Sequence, residues 1–326
     1  GVSISTVSRT FMRPELVSAK TLAKVRAAAD ELNYSITRAA TTMKTGQSFR
    51  IALLVSDALS TWFNAHVLDG IDTVLHPAGY DTAVYRVTSI AERDEFFASL
   101  PIKKNADAVI TASFGLDAKE SERIASIGIP VIGLNPASSE GLTAAVGIDE
   151  HQAAALIAIS LGHTHITYIR TNSQSSLSYS ALQRYDAFEQ ACANANDAGE
   201  PVDLKVITLP DEAGRIAQCM AMILATKPLP TAIACQEDNI ALQLLFRMRR
   251  YGLDVPQDIS LIGFDDSTYA EDAELTTVHQ DPFELGQIAA RKALERVGGR
   301  APQSEMAFET APTRLVLRSS TAAPRA

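Results

Sequence analysis

From Phe49 onward, short apolar runs alternate with stretches whose apolar residues recur at helical spacing. RIALLV, TAVYRV, DAVITA, PVIGL, HITYIR, DLKVITL, TAIACQ and DISLIGF read as strands, with helices between most of them. That alternation predicts parallel sheets wound through right-handed crossovers, an α/β fold. On pattern alone, eight or nine strands could form a single large sheet. The first 33 residues differ. In Ile4 to Phe11, Val7 and Phe11 are four apart and can face a small core, while Ser5 and Arg9, also four apart, share another face. Ser3 and Ser18 are placed to cap the helices that follow them, and Leu22, Val25, Ala29 and Leu32 form the apolar stripe of the second. Between the two regions, Tyr34 to Ser48 holds helix formers (Arg38, Ala39, Ala40, Met43, Lys44) but stops at Thr45-Gly46. Isolated helices shorter than ~12–15 residues are marginal in water, so this stretch is expected to be helical only when something packs against it. The small, polar, proline-bearing tail from Ser319 to Ala326 is expected to be disordered.

Charge changes this picture. The 326-residue chain carries a net charge of −9, which argues against nucleic-acid binding by the whole. Residues 1–50, however, hold eight Lys/Arg against three acids, +5, so the remainder stands at −14. A basic nucleic-acid module joined to an acidic body fits that asymmetry. The length calls for two or three folding units. No apolar run reaches the ~18 residues of a membrane span, and no basic-then-apolar leader opens the chain. Cys192, Cys219 and Cys235, an odd number without CxxC spacing, read as reduced thiols of a cytoplasmic protein.

The segments GVSISTVSR, ADELNY, VPQDISLIGFDD and LTTVHQD together resemble the lactose-repressor (LacI-type) family of bacterial transcription regulators, and the resemblance runs through almost all of the chain. It implies a helix-turn-helix segment over 1–33 whose first helix is missing, a hinge helix over 34–48, and a two-lobed core over 49–326 similar to periplasmic sugar-binding proteins, with two parallel, doubly wound sheets. The first lobe would take 49–148 and 281–308, the second 149–280 and 309–320. The chain would then be a fragment of a longer regulator that binds DNA weakly or not at all by itself. In the parent protein Ile4, Ser5 and Arg9 would lie where the family reads base edges, Arg9 being the natural bidentate partner of guanine. Thr6, Ser8 and Lys20 would touch phosphates. Arg38, Ala40 and Met43 would act in the hinge, Met43 as a minor-groove wedge where the family commonly has leucine, and Ile36 stands where it commonly has proline.

Ligands of open α/β sheets sit beyond the carboxyl ends of the strands, and those ends carry informative residues here. Trp62, the only tryptophan, and Phe63 follow RIALLV and could stack on a sugar. Arg184 matches the family's effector-binding arginine, and Arg170, closing HITYIR, is a second candidate. Glu237 and Asp265 follow TAIACQ and DISLIGF, with Asp238 favoured as a structural support of its helix start. Gln280 lies at a lobe crossing. Arginines and carboxylates each grip paired hydroxyls. Two arginines facing two acids make a near-neutral cleft suited to a sugar or a sugar acid.

Neither a GxSxG elbow, a GxxxxGK[ST] loop nor an HExxH site occurs. His163 and His165 lack partners of metal-ligand type in sequence, and Asp265-Asp266 should point opposite ways at a strand end, unlike a glycosidase pair. The expectation is therefore a homodimeric repressor that binds operator DNA and a small effector, without cofactor, metal or enzymatic activity. The rival is a solute-binding protein of the same architecture that never meets DNA; it would need a secretion signal and no basic head.

Overall fold

The computed structural model describes every residue except 13, 33, 35–45, 104, 151, 152, 154–161, 173–178, 211, 300–306, 325 and 326. The hinge positions Arg38, Ala40 and Met43 therefore lie outside the described residues. The chain forms two compact units, Gly1–Phe49 and Arg50–Ala326.

In the first unit, α1 (Ile4–Met12) starts where the Thr6 N–H meets Ser3 Oγ at 3.2 Å, and α2 (Ala19–Glu31) is capped by Ser18. Thr10, Val25 and Ala29 are buried, and Phe11 packs edge-on against Tyr34. Ile4, Ser5 and Arg9 share an exposed face; Ile4 is 90 % exposed, a large apolar residue that the unit's own packing does not use. Thr6 and Ser8 are half-buried beside that face, and Lys20 is exposed at the start of α2. Leu32 departs from the expected stripe. It is the C-cap of α2 and 76 % exposed, because the helix has already ended and the side chain no longer follows the face that carries Val25 and Ala29.

The second unit contains two six-stranded sheets rather than one large sheet. The first is built from β1 (Arg50–Val55), β2 (Asp81–Arg86), β3 (Ala108–Ala112), β4 (Val131–Leu134), β5 (Ala144–Ile148) and β11 (Ala307–Ala311), ordered β11-β5-β4-β3-β1-β2, with each pair parallel. The second is built from β6 (His165–Thr171), β7 (Asp203–Leu209), β8 (Ala232–Cys235), β9 (Ser260–Asp265), β10 (Thr276–His279) and β12 (Arg314–Val316), ordered β12-β10-β9-β8-β6-β7, with β12 antiparallel to β10. Central strands such as β3, β4 and β8 are buried throughout, as sheets covered on both faces require. Helices α3 (Trp62–Leu75), α4 (Ile90–Lys103) and α5 (Ala118–Ile127) follow strands of the first sheet; α6 (Tyr179–Asp197), α7 (Arg215–Ala225) and α8 (Asp238–Arg250) follow strands of the second.

The chain passes between the lobes after β5, after β10 and between β11 and β12. The second passage begins α9 (Pro282–Val297), capped by Asp281 and packed on α3 of the first lobe. The two helices meet through glycine: a Cβ on Gly70 would lie 2.1 Å from the Phe283 carbonyl oxygen, and one on Gly286 2.4 Å from that of Val67. The first-sheet portion extends to Ala311, not 308, because β11 pairs with β5 over its whole length.

The tail is also more ordered than its composition implies. Ser320 is buried, accepts the Thr276 N–H at 2.8 Å and donates to the Leu261 carbonyl at 2.6 Å. Ala322 accepts from His163 Nε2 at 3.0 Å and receives the Ser260 hydroxyl. Ser320 thereby completes backbone hydrogen bonds at the starts of β9 and β10, which composition alone does not reveal.

Candidate functional site

The candidate site is assembled where strands of the second lobe end. Arg184, in the second turn of α6, is buried, and its guanidinium is closely held. Nε and Nη2 donate to Glu150 at 3.2 and 3.4 Å, Nη1 donates to the Gln236 carbonyl at 2.6 Å, and the flat face lies 3.5 Å from the Phe264 ring centre. The neighbouring Gln183 donates to the Ala137 carbonyl of the first lobe at 2.7 Å. The opening turns of α6 thus hold both lobes.

Asp265 closes β9 with φ 125°, a backbone region that side chains rarely enter and that is found at constrained positions. Its Oδ1 accepts from Gln280 Nε2 at 2.6 Å, and Gln280 is in turn 3.5 Å from Asn135 Nδ2 at the end of β4. Asn135 Oδ1 accepts the Ile148 N–H, so one buried amide chain links the first two interlobe passages to Asp265. Burial pushes the Asp265 carboxyl well up, partly offset by Arg184. Glu237 is raised as well, by burial first, with Arg215 and Arg184 opposing and Asp57 of the β1–α3 loop reinforcing. The phenol oxygen of Tyr168 is buried, interacts by charge with Arg184 and Glu150, and has no hydrogen-bond partner among the described residues.

Asp238 and Asp266 build the frame. Asp238 accepts the Thr277 hydroxyl and the Ser267 N–H, both at 2.7 Å, and burial lifts its carboxyl to about 6. A Cβ on Gly263 would sit 2.0 Å from Asp238 Oδ1, so only glycine lets this carboxylate pass under β9. Asp266 turns away from Asp265 to His279 at 2.9 Å and Arg318 at 2.7 Å. Burial raises its carboxyl, but those two partners outweigh burial and leave it below the usual range. The adjacent acids diverge, and no shared bond could lie between them.

Arg184, Glu237, Asp265 and Gln280 are thus brought together. Arg170 is turned elsewhere: it stacks 4.3 Å from the Tyr185 ring centre and donates to Thr208 on β7. Trp62 and Phe63 open α3 half-buried, Trp62 tilted against His66 with ring centres 5.0 Å apart. In the loop before them, Asp57 acts on Glu237 through its charge. The reading of a near-neutral cleft changes accordingly, because Arg170 leaves the inventory and Glu150 enters it. Glu150 and Asn135 carry no motif of their own, and Gln236 and Phe264 read only as the ends of strand runs. Their roles arise from lobe passages and strand ends that become visible only once the chain is folded.

Residues 1–36 match the family described as bacterial regulatory proteins, lacI family, and residues 157–321 match the periplasmic binding protein-like domain. The chain is 29 % identical over 329 residues to the transcriptional repressor PurR of Vibrio campbellii, covering 98 % of this chain and 95 % of that protein. It is 30 % identical to the repressor CytR of Escherichia coli K12, covering 92 % of this chain and 87 % of that protein. A LacI family regulator of Enterococcus faecium, solved with bound ribose, superposes with a TM-score of 0.71 at 26 % identity, covering 85 % of this chain and all of the other. With a helix-turn-helix match at one end, a binding-protein-like match over half its length and near-complete coverage of these relatives, the chain belongs to the lacI family of bacterial regulatory proteins.

Proposed function

We propose that the protein is a sequence-specific DNA-binding transcriptional regulator, a repressor in sense, whose grip on operator DNA is set by a small hydroxylated effector held between the two lobes. The observation that carries this reading is the group of buried Arg184 and Gln280 with half-buried Asp265, set among lobe passages at the strand ends of the second lobe. Donors, acceptors and aromatic faces of this kind suit a sugar ring. Ile4, Ser5 and Arg9 on the open face of α1 would read bases, with Thr6, Ser8 and Lys20 on phosphates. The first lobe begins directly after the helical unit, so a ligand that favours closed lobes acts on the segment entering that lobe. Only differential affinity can move such an equilibrium; shifting 1:99 to 99:1 needs ~5.5 kcal/mol, which two effector sites of a homodimer would share. None of the described helices is long and apolar enough to cross a membrane, and a cytoplasmic homodimer without enzymatic activity is part of the proposal. The solute-binding alternative leaves the basic helical unit without a purpose.

A thermal-shift screen of sugars, sugar acids and nucleobases tests the reading. An effector stabilises the protein, and Arg184→Ala abolishes that gain. A stabilising compound indifferent to Arg184→Ala removes this arginine from the site.

A further inference from the structure

The charge of the site limits what it can hold. A guanidinium has five N–H donors, and three of those on Arg184 are committed, two to Glu150 and one to the Gln236 carbonyl. The edge formed by Nε and Nη2, the one that would receive a ligand carboxylate or phosphate in two-point fashion, is the edge Glu150 occupies. Asp265 interacts electrostatically with this neutralised arginine, as does Glu237, on which Asp57 and Arg215 also act by charge. Among the described residues, four carboxylates (Glu150, Asp265, Glu237 and Asp57) thus stand against two guanidiniums in this set of charge interactions. Asp238, already bound to Thr277 and Ser267, adds its field to Asp265. An anion entering here finds the Nε/Nη2 edge of Arg184 already taken by Glu150 and meets several carboxylates at low dielectric, where like charges cost far more than in water. A protonated amine meets the reverse.

We infer that Glu150 acts as the charge filter of the effector cleft, so that the site prefers a hydroxylated ligand bearing a protonated amine over its neutral counterpart and refuses the corresponding acid. This rests on the reading of the cleft as the effector site and names the chemical class it takes. Asp265 and Glu237 are the acceptors for the amine, and the remaining Arg184 donors and Gln280 serve the hydroxyls. Burial, the largest cause, raises the carboxyls of Asp265 and Glu237, and a cation bound beside them would favour their ionised forms.

The test uses three probes small enough to enter without matching the natural scaffold: ethanolamine, ethylene glycol and glycolate. They share a two-carbon hydroxylated frame and differ in charge. Binding to the whole chain is followed by saturation-transfer NMR at constant ionic strength, for the unaltered protein and for Glu150→Gln, Glu150→Asp and Asp265→Asn, with circular dichroism confirming that each variant folds. The expected order for the unaltered protein is ethanolamine, then glycol, then glycolate. Glu150→Gln removes the negative charge and one of the two acceptors from the Arg184 edge and raises glycolate affinity by about tenfold or more, whereas Glu150→Asp, which keeps the charge, retains the original order. Glycolate equal to or above ethanolamine in the unaltered protein, no discrimination among the three, or an order unmoved by Glu150→Gln overturns the inference. Discrimination that survives Asp265→Asn unchanged places the probes outside the cleft and counts against the effector-site reading itself.

Discussion

Asp238 is the residue whose replacement separates the frame of the site from its chemistry. It is fully buried, its two oxygens take the Thr277 hydroxyl and the Ser267 N–H, and so it fixes the turn that follows Asp265. Burial raises its carboxyl from 3.8 to about 6, against the pull of those two hydrogen bonds. A carboxyl with a raised folded-state value stabilises fully below its unfolded value and loses that contribution as pH rises through the folded one. Between pH 4 and pH 6.5 the ionisation of Asp238 therefore removes about 2 kcal/mol, most of what its displacement is worth at about 1.4 kcal/mol per unit. Asp238→Asn keeps the shape, with its carbonyl toward Ser267 and its amide toward Thr277, and cannot ionise. It should cost about 1 kcal/mol or less at pH 7 and flatten the stability profile over this interval. Asp238→Ala strands a buried hydroxyl and a buried N–H, at about 1–3 kcal/mol each, and should lose about 3–5 kcal/mol at pH 7. Urea unfolding followed by circular dichroism at half-unit pH steps reads all three proteins. Asp265 and Glu237 titrate in each of them, and because the Asp238 charge raises Asp265, its removal also relieves Asp265, so the difference reads Asp238 together with its action on Asp265. An Asn variant with the same slope as the unaltered chain refutes the reasoning.

Two further outcomes test the packing of the core. Gly286→Ala forces a methyl group into the Val67 carbonyl across the α3–α9 contact and should destabilise the second unit by about 1–3 kcal/mol, read as a lower urea midpoint. Ser320→Ala leaves the buried Thr276 N–H without its acceptor and should cost about 2 kcal/mol, which would show that the tail is a structural strap; an unchanged midpoint would return it to the disordered class.

Much of the architecture was legible because parallel strands buried on both faces are written as unbroken apolar runs, as in RIALLV and DAVITA. The strands that pattern reading left out are short or polar. AAVGI is mostly small residues, TTVH is half threonine, and β11 and β12 are edge strands that need no apolar face toward a second neighbour. Division into two sheets followed from family resemblance and not from periodicity, since the same runs would serve one sheet. In the site, Arg184, Glu237, Asp265 and Gln280 were recognisable from strand ends and motifs. Arg170 looked equivalent to Arg184 because both lie near the same loop; alternation along β6 and the ring of Tyr185 take it elsewhere. Glu150 was hidden for the opposite reason. It sits just after β5, 34 positions before its partner, and only the passage between lobes brings the two together.

The central claim is that a ligand at this cleft changes the disposition of the lobes, and an interlobe distance tests it most directly. Cys192, Cys219 and Cys235 are buried, with thiols that burial raises above their ordinary value, so spin labels can be confined to introduced cysteines at the exposed Lys119 on α5 and Gln190 on α6. Electron-electron double resonance, with and without a small molecule that stabilises the protein, should show the distance distribution move and narrow on binding, and Asp265→Asn should abolish the movement. A distribution that is the same with the ligand bound as without it would contradict the account.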